Sequence, residues 1–330
     1  MDKPKVYVLL ATYNPNLCWL KEQLYSINNQ TYKNIEVIVC DDGSDSISND
    51  ELNTLLKQQI TKFPYIFISN HINQGPNKTF ERLTLEAAKK TRDINGKAYF
   101  AYCDQDDIWE SEKIEILIND IIQKDAVLAY SDMSVIDSEG RLVADSITKV
   151  RKRFYYFEGH ELWQKILVRN FISGCCMIVR SDIAIAAIPF EKDMQHDRWI
   201  SVIASTHGYI AYENKALVRY RQHGRNVTGV LKDITDKASY IQIRIKDHLR
   251  ILQNINARND VNDELAKFLS EYIDQMKIRL KYAGGEYQNL FKMLSYIKFN
   301  RATIVFEVVA MVLPEKVFKR ALNIIKAKNL

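Results

Sequence analysis

The residues with most chemical potential stand together in Tyr102-Cys103-Asp104-Gln105-Asp106-Asp107-Ile108-Trp109. An apolar run, Ala98 to Cys103, ends there in three carboxylates within four positions. Carboxylates that close repel one another, and a buried strand does not tolerate them unpaired. A positive partner is therefore expected. Hard divalent cations take oxygen ligands, and Mg²⁺ usually binds through one or two carboxylates plus substrate phosphates, so Mg²⁺ or Mn²⁺ is the expected ion. Asp104 and Asp106 are two apart, so an extended backbone points both to one side. The plain alternative is an acidic helix start, since Asp is favoured at the N-cap and in the first turn.

The elements that must position this cluster are readable around it. Lys5–Ala11 is a β-branched apolar run broken by Thr12-Tyr13-Asn14-Pro15. A helix follows from about Asn16, with Leu17, Leu20, Leu24 and Ile27 at helical spacing. A second strand, Ile35–Cys40, ends in Asp41-Asp42-Gly43-Ser44, and a helix carries Leu52, Leu55, Leu56 and Ile60. Tyr65–Ser69 reads as a third strand, and Asn73-Gln74-Gly75-Pro76 opens a third helix. Ala98–Cys103 is the fourth strand, followed by a helix over Glu110–Gln123 and a strand from Val127 through Tyr130. Repeated strand–loop–helix units predict a doubly wound, mostly parallel α/β sheet. Sites in such sheets lie at the carboxyl ends of strands. Thr12-Tyr13-Asn14, Asp41-Asp42-Gly43 and Asp104-Gln105-Asp106 should then converge in one crevice. No GxGxxG follows a strand and no GxxxxGK[ST] occurs, so a metal would have to manage any phosphates.

Beyond Tyr130 the pattern changes. Ser131–Asp137 and Gly140–Val143 read as a hairpin, and 144–157 as a loop with a basic run at Lys149, Arg151, Lys152 and Arg153. Gly174–Arg180 reads as a strand, His196-Asp197-Arg198-Trp199 opens a helix, and Tyr209–Glu213 and Leu217–Tyr220 read as short strands before Arg221-Gln222-His223-Gly224. From Lys232 onward the pattern is helical.

Composition bounds the rest. Net charge is +5, but residues 232–330 hold 18 Lys and Arg against 11 Asp and Glu, while 1–231 hold 28 against 30. A near-neutral body with a basic tail implies a compact catalytic part and a tail that faces something anionic. The five cysteines (18, 40, 103, 175 and 176) form no CxxC pair, which fits a reducing, cytoplasmic setting and argues against zinc. No secretory hydrophobic region precedes the first strand, and the apolar run Ile304–Leu313, interrupted by Glu307, is too short to span a bilayer. Val317, Phe318, Ala321, Leu322 and Ile325 share one helical face, with Lys316, Lys319, Arg320, Lys326 and Lys328 elsewhere. Such a helix can lie peripherally on an anionic membrane surface; the alternatives are packing on the protein or a homodimer contact. No nucleic-acid reader motif is present, so nucleic acid is not an expected partner.

The stretches LLATYN (9–14), NNQTYKNIEVIVCDDGS (28–44), NQGPNKTFERL (73–83), CDQDDIW (103–109), HDRW (196–199) and YRQHGRN (220–226) resemble the family 2 inverting glycosyltransferases of the GT-A fold, most of all bacterial rhamnosyltransferase-type members. The resemblance runs over about residues 5–226 and implies a catalytic domain at 1–231, followed by a helical region at 232–330. It implies that Asp106, with Asp104, holds the divalent ion, and that Asp104 or Gln105 faces the sugar or ribose. Asp42 would accept the pyrimidine N3–H, with Ala11, Thr12 and Tyr13 as the other wall and Tyr13 stacked on the base. Uracil and thymine share that edge, so a UDP or dTDP donor is implied without a choice between them. Lys78 would stand near the diphosphate; Thr79 replaces the Asn common in rhamnosyltransferase-type members. Asp197 is the implied general base, taking the acceptor hydroxyl proton as inversion occurs in one displacement. His223 would be a third metal ligand or a diphosphate contact, and Arg221 and Arg225 would pair with phosphates.

The resulting expectation is transfer of a sugar, L-rhamnose from dTDP-rhamnose or a hexose from a UDP donor, to a cell-surface glycan or undecaprenyl-linked acceptor. The enzymatic rival is a sugar nucleotidyltransferase, which would need a Gly-rich basic loop after the first strand; LLATYNPN has none. The non-enzymatic rival is a glycan-binding protein with a decayed site, against which Asp42, Asp106 and Asp197 argue.

Overall fold

The computed structural model describes residues 3–92, 97–151, 154–224, 233–258, 261–297 and 300–327. The chain divides into two compact units, Met1–Gly224 and Arg225–Leu330.

In the first unit the expected alternation appears as β1 (Lys5–Thr12), α1 (Leu17–Asn28), β2 (Ile35–Asp41), α2 (Asn49–Gln59), β3 (Tyr65–Ser69), α3 (Pro76–Thr91) and β4 (Ala98–Cys103). Helix starts follow local chemistry. The Asn16 side chain caps α1 by accepting from the N–H groups of Cys18 and Trp19. Ser48 and Glu51 form a reciprocal capping box on α2, and Pro76 at the first turn of α3 fixes its entry. After β4 come β5 (Ile108–Trp109), α4 (Lys113–Gln123), β6 (Ala126–Ile136), β7 (Leu142–Ala144), α5 (Ile147–Val150), α6 (Trp163–Val168), a 3₁₀ turn (Gly174–Cys176), β8 (Met177–Arg180), α7 (Ser181–Ala186), α8 (His196–His207) and β9 (Tyr209–Arg221).

The sheet order is β3-β2-β1-β4-β8-β6-β9-β5, with β7 on the side of β6. The pairs β1–β2, β1–β4, β2–β3 and β6–β9 are parallel; β8 runs antiparallel to both β4 and β6. Its sheet core is Val6, Val8, Leu9, Leu10, Val37, Ile38, Val39 and Phe100, all without exposure. Register places Thr12 opposite Asp41, Leu10 opposite Cys103 and Asp41 opposite Ser69. The three loops therefore leave the sheet at one level.

Several boundaries differ from expectation. The strand expected to end at Tyr130 continues to Ile136, because its pairing with β9 runs that far; the buried Asp132 within it accepts from Tyr156 Oη and Met133 N, each at 2.7 Å. The two short strands expected over 209–220 are one, with register shifts opposite Ser131–Met133. Helix α4 starts at Lys113 rather than Glu110, because Ile108 and Trp109 pair with Arg219 and Val218.

The second unit is helical: α9 (Lys237–Ile241), a π turn (Gln242–Lys246), α10 (Asp247–Asn256), α11 (Asp263–Ala283), α12 (Leu290–Ser295), α13 (Arg301–Ala310) and α14 (Glu315–Ala327). Glu307, which interrupts the apolar run, is buried. It accepts from Arg279 Nε at 2.8 Å and from Tyr240 Oη at 2.9 Å. Part of the amphipathic face of α14 is used within this unit, while Val317 and Ile324 stay exposed. Phe318 and Leu322 are buried, Phe318 packing against Tyr240 and Phe306. Lys328 lies outside the described residues. No described helix is long and apolar enough to cross a membrane.

Candidate active site

The three loops are tied to one another by side chains that imitate backbone. The Gln105 amide forms a two-way bridge with Tyr13: Tyr13 N donates to Oε1 at 2.8 Å, and Nε2 donates to Tyr13 O at 3.1 Å. Of Asp104 and Gln105, either of which is expected to face the sugar or ribose, Gln105 uses its amide to fasten the DQD loop to the loop after β1. That bridge leaves the Tyr13 side chain 43% exposed, on the rim where a ring could stack. Ala11 and Thr12 end β1 beneath it. Thr12 Oγ1 and Ser44 Oγ both donate to Asp41 Oδ1, at 2.9 and 2.7 Å. Asn14, at φ 42°, accepts from the N–H groups of Asp45 and Ser46. Gly43, at φ 72°, leaves room for no side chain: a Cβ there would lie 2.8 Å from the carbonyl carbon of Ile72.

Asp42 is buried at this junction. Its Oδ1 accepts from Asn70 Nδ2 at 2.6 Å and Gln74 N at 3.0 Å, and Oδ2 accepts from Gly75 N at 2.8 Å. A carboxylate has about four acceptor positions, so one on Oδ2 remains for a ligand N–H. Lys78 is exposed on the first turn of α3 and pairs with Glu81 at 2.8 Å. Thr79 is buried and donates to Gly75 O.

Asp106 meets His223: Oδ2 and Nε2 are 2.6 Å apart. The His223 ring lies against Trp19, with centroids 4.7 Å apart, and the Trp19 indole donates to Ser138 O at 3.0 Å. Arg221, expected to pair with donor phosphate, is 1% exposed. Its Nε donates to Asp106 O at 2.8 Å, its Nη1 reaches the carbonyls of Asp137 and Ser138, and its Nη2 pairs with Glu22. It therefore braces the acidic loop from behind. Arg225 lies outside the described residues, as do Lys152 and Arg153.

Behind Asp106 the charge density is high. Asp104 is held well above the ordinary carboxylate range, first by burial and then by the charges of Asp107, Asp106 and Asp197. Burial and the Asp106 charge push Asp107 up to about 7. Asp107 Oδ1 accepts from Arg221 N at 3.0 Å. Asp104, Asp107 and Cys175 bring potential ligand atoms within 4.8 Å of one another. Contact with Cys176 and burial hold the Cys175 thiol well above its ordinary range. Below it lies Lys113, a residue the sequence reading passed over. It shares the i, i+4, i+8 stripe of α4 with the buried Leu117 and Ile121, which was the available signal.

Asp197 stands at the start of α8. Its Oδ1 accepts from Arg198 N at 2.5 Å and from Asn170 Nδ2 at 3.4 Å, and its Oδ2 accepts from Gly174 N at 3.1 Å. Burial raises it to about 6, against the opposing pull of these backbone N–H groups. Its charge is among those that raise Asp104. Its neighbour His196 is stacked on Phe80 at 4.0 Å, and burial lowers it to about 3. His196 is therefore a neutral packing ring at physiological pH and cannot supply a charge.

This geometry coincides with a match to the family model "Glycosyl transferase family 2" over residues 7–185, more than half of the chain. The chain belongs to that family. Over 304 residues it is 27% identical to a dTDP-rhamnosyl transferase, RfbG, of Shigella flexneri, covering 88% of this chain and 94% of the relative. Over 256 residues it is 27% identical to an uncharacterised glycosyltransferase of Methanocaldococcus jannaschii, covering 75% of this chain and 80% of the relative. Among solved structures, S. aureus TarS in complex with UDP-GlcNAc superposes with a TM-score of 0.57 at 15% identity, covering 98% of this chain and 88% of that one. That last likeness concerns the fold alone. The chain is thus a glycosyltransferase with a GT-A sheet and a helical C-terminal region.

Proposed function

We propose that this glycosyltransferase moves a sugar from a nucleoside diphosphate donor to a glycan or lipid-linked acceptor, with inversion and with a divalent cation. The observation that carries the reading is the pairing of Asp106 with His223, together with the raised Asp197 carboxyl.

The donor set fits Mg²⁺ or Mn²⁺. A carboxylate oxygen and an imidazole nitrogen at 2.6 Å need a proton between their lone pairs, and a cation can take its place. Asp104 adds a second carboxyl, crowded by the charges of Asp107, Asp106 and Asp197. When bound, the ion would neutralise the diphosphate as it leaves. The chain's own residues do the rest. Asp42 offers its remaining acceptor position to a pyrimidine N3–H, and Tyr13 offers its exposed ring to the base. Asp197, once ionised, takes the acceptor hydroxyl proton as that oxygen attacks the anomeric carbon from the side opposite the diphosphate. A value of about 6 leaves it mostly ionised at neutral pH yet basic enough to accept a proton.

RfbG at 27% identity supports dTDP-rhamnose as the donor to try first, with UDP-hexoses next because the Asp42 pocket does not separate the bases. The test is release of dTDP or UDP from dTDP-rhamnose, UDP-glucose and UDP-GlcNAc, with and without EDTA. Turnover of none, or turnover indifferent to EDTA, would remove the proposal's donor or its cation respectively.

A further inference from the structure

Lys113 occupies the least favourable place that a cation could take. It is fully buried, and it is the first residue of α4, where the helix dipole is positive. Burial lowers its ammonium to about 8. A chain that breaks local rules in this way usually does so at a functional site. Two contacts hold the group: Nζ donates to Cys175 O at 2.6 Å, and it lies 3.1 Å from the centroid of the Trp109 ring. Cys175 belongs to the 3₁₀ turn whose first residue, Gly174, donates its N–H to Asp197 Oδ2 at 3.1 Å. The turn is closely fitted, since a Cβ on Gly174 would lie 2.8 Å from His196 Nε2 and 3.5 Å from Asp197 Cβ.

We propose that Lys113 is a positioning residue for the general base: it fixes the Gly174–Cys176 turn from beneath, so that the Gly174 N–H stays aimed at the Asp197 carboxylate. The proposal rests on the reading of Asp197 as the base. Lys113 thereby links the helix that follows the acidic loop to the turn that orients the base, and one buried cation sets the spacing between the two halves of the site. It touches neither donor nor acceptor. Its loss should leave nucleotide binding alone and disturb only the step that needs the base.

The test is Lys113→Met, with Lys113→Gln as a second variant that keeps an N–H donor without the charge. Three readouts are taken on the full chain: affinity for UDP and dTDP with Mn²⁺ by calorimetry, kcat for nucleotide release from the donor sugar, and the titration of the ¹³C-labelled Asp197 carboxyl by NMR. For Lys113→Met the affinities should stay within about two-fold, and kcat should fall by about ten- to a hundred-fold, as an ångström of misplacement brings. The Asp197 titration should move upward by about half a unit or more, because a backbone donor that favours the carboxylate is loosened. Arg198, the other charged side chain beside Asp197, is unchanged in the variant, whereas Asp104 loses the lowering charge of Lys113; Lys113→Gln, which also removes that charge but keeps an N–H donor, separates the charge effect from the turn contact. Lys113→Gln should recover part of both effects, and it carries the same comparison if the Met variant does not fold. An unmoved Asp197 titration, or a loss of nucleotide affinity that matches the loss of kcat, overturns the proposal. Asp197→Asn is measured alongside. Retained turnover there removes the base reading itself, whereas a silent Asp197→Asn beside an unaltered Lys113→Met overturns the Lys113 proposal alone.

Discussion

Asp106 and His223 are 117 positions apart in sequence and 2.6 Å apart in space. The contact exists because β5 pairs with β9, so the end of β9 returns past the acidic loop. Arg221, two residues before His223, secures that return by donating to Asp106 O. The Asp106–His223 pair is thus assembled by strand pairing, and a buried guanidinium holds the acidic loop in place.

From this pairing follows a cation prediction. His223→Ala should raise the Mn²⁺ concentration for half-maximal turnover by at least about ten-fold, since even supporting groups around metals are worth that much. Asp106→Asn should do the same or abolish turnover. A cation titration that His223→Ala leaves unchanged would mean that the imidazole only packs against Trp19.

The proposed base, Asp197, predicts a pH profile. Asp197 must be ionised to accept a proton, and burial raises it to about 6. Activity should therefore fall as pH drops through about 6 and be level above it until another group titrates. Asp197→Asn should lose about 10²- to 10⁴-fold in kcat, the usual worth of general-base catalysis, while retaining nucleotide affinity. Neutral His196 predicts a contrast: it should contribute no limb to the profile in this range. An acid limb that survives Asp197→Asn would place the base elsewhere.

The Gln105–Tyr13 bridge predicts a binding effect. Gln105→Ala removes two hydrogen bonds, each worth about 0.5–1.5 kcal/mol, and frees the loop that presents Tyr13. Nucleotide affinity should weaken by about five- to ten-fold, a loss near 1 kcal/mol, with kcat changed less. If Gln105 contacted the sugar instead, UDP and dTDP would bind the variant as tightly as the wild type while the sugar nucleotides bound more weakly.

How much of this was legible in the sequence depends on what each signal encodes. Near-continuous apolar runs that break at Thr12, Asp41-Asp42 and Asp104 mark strand tips, and the parallel register that brings them level follows from the fold class. The acidic cluster and the start of α8 at His196–Asp197 were readable for the same reason. Orientation was not. Arg221 looks like a phosphate partner because it neighbours a loop histidine, yet its guanidinium turns inward to carbonyl groups. The amphipathic period of α14 is the same for a helix on a bilayer and for one on a protein core; the burial of Phe318 and Leu322 shows the packing that the period alone does not report. Antiparallel β8 was hidden because the run from Gly174 begins as a turn, and nothing in periodicity reports strand direction.

The C-terminal unit yields a stability prediction that separates packing from surface attachment. Glu307 is buried against Arg279 and Tyr240, so Glu307→Gln leaves the Arg279 charge without its carboxylate. Removing one partner of a buried pair typically costs about 3–5 kcal/mol. Phe318→Ala opens a cavity beside Tyr240 and should cost a similar amount. Both variants should lower the urea midpoint of the unfolding step that belongs to this unit. If the apolar face of α14 served a bilayer instead, Phe318→Ala would leave the midpoint in place and reduce co-sedimentation with vesicles containing phosphatidylglycerol. A shifted midpoint with unaltered co-sedimentation is the result that the burial of Phe318 predicts.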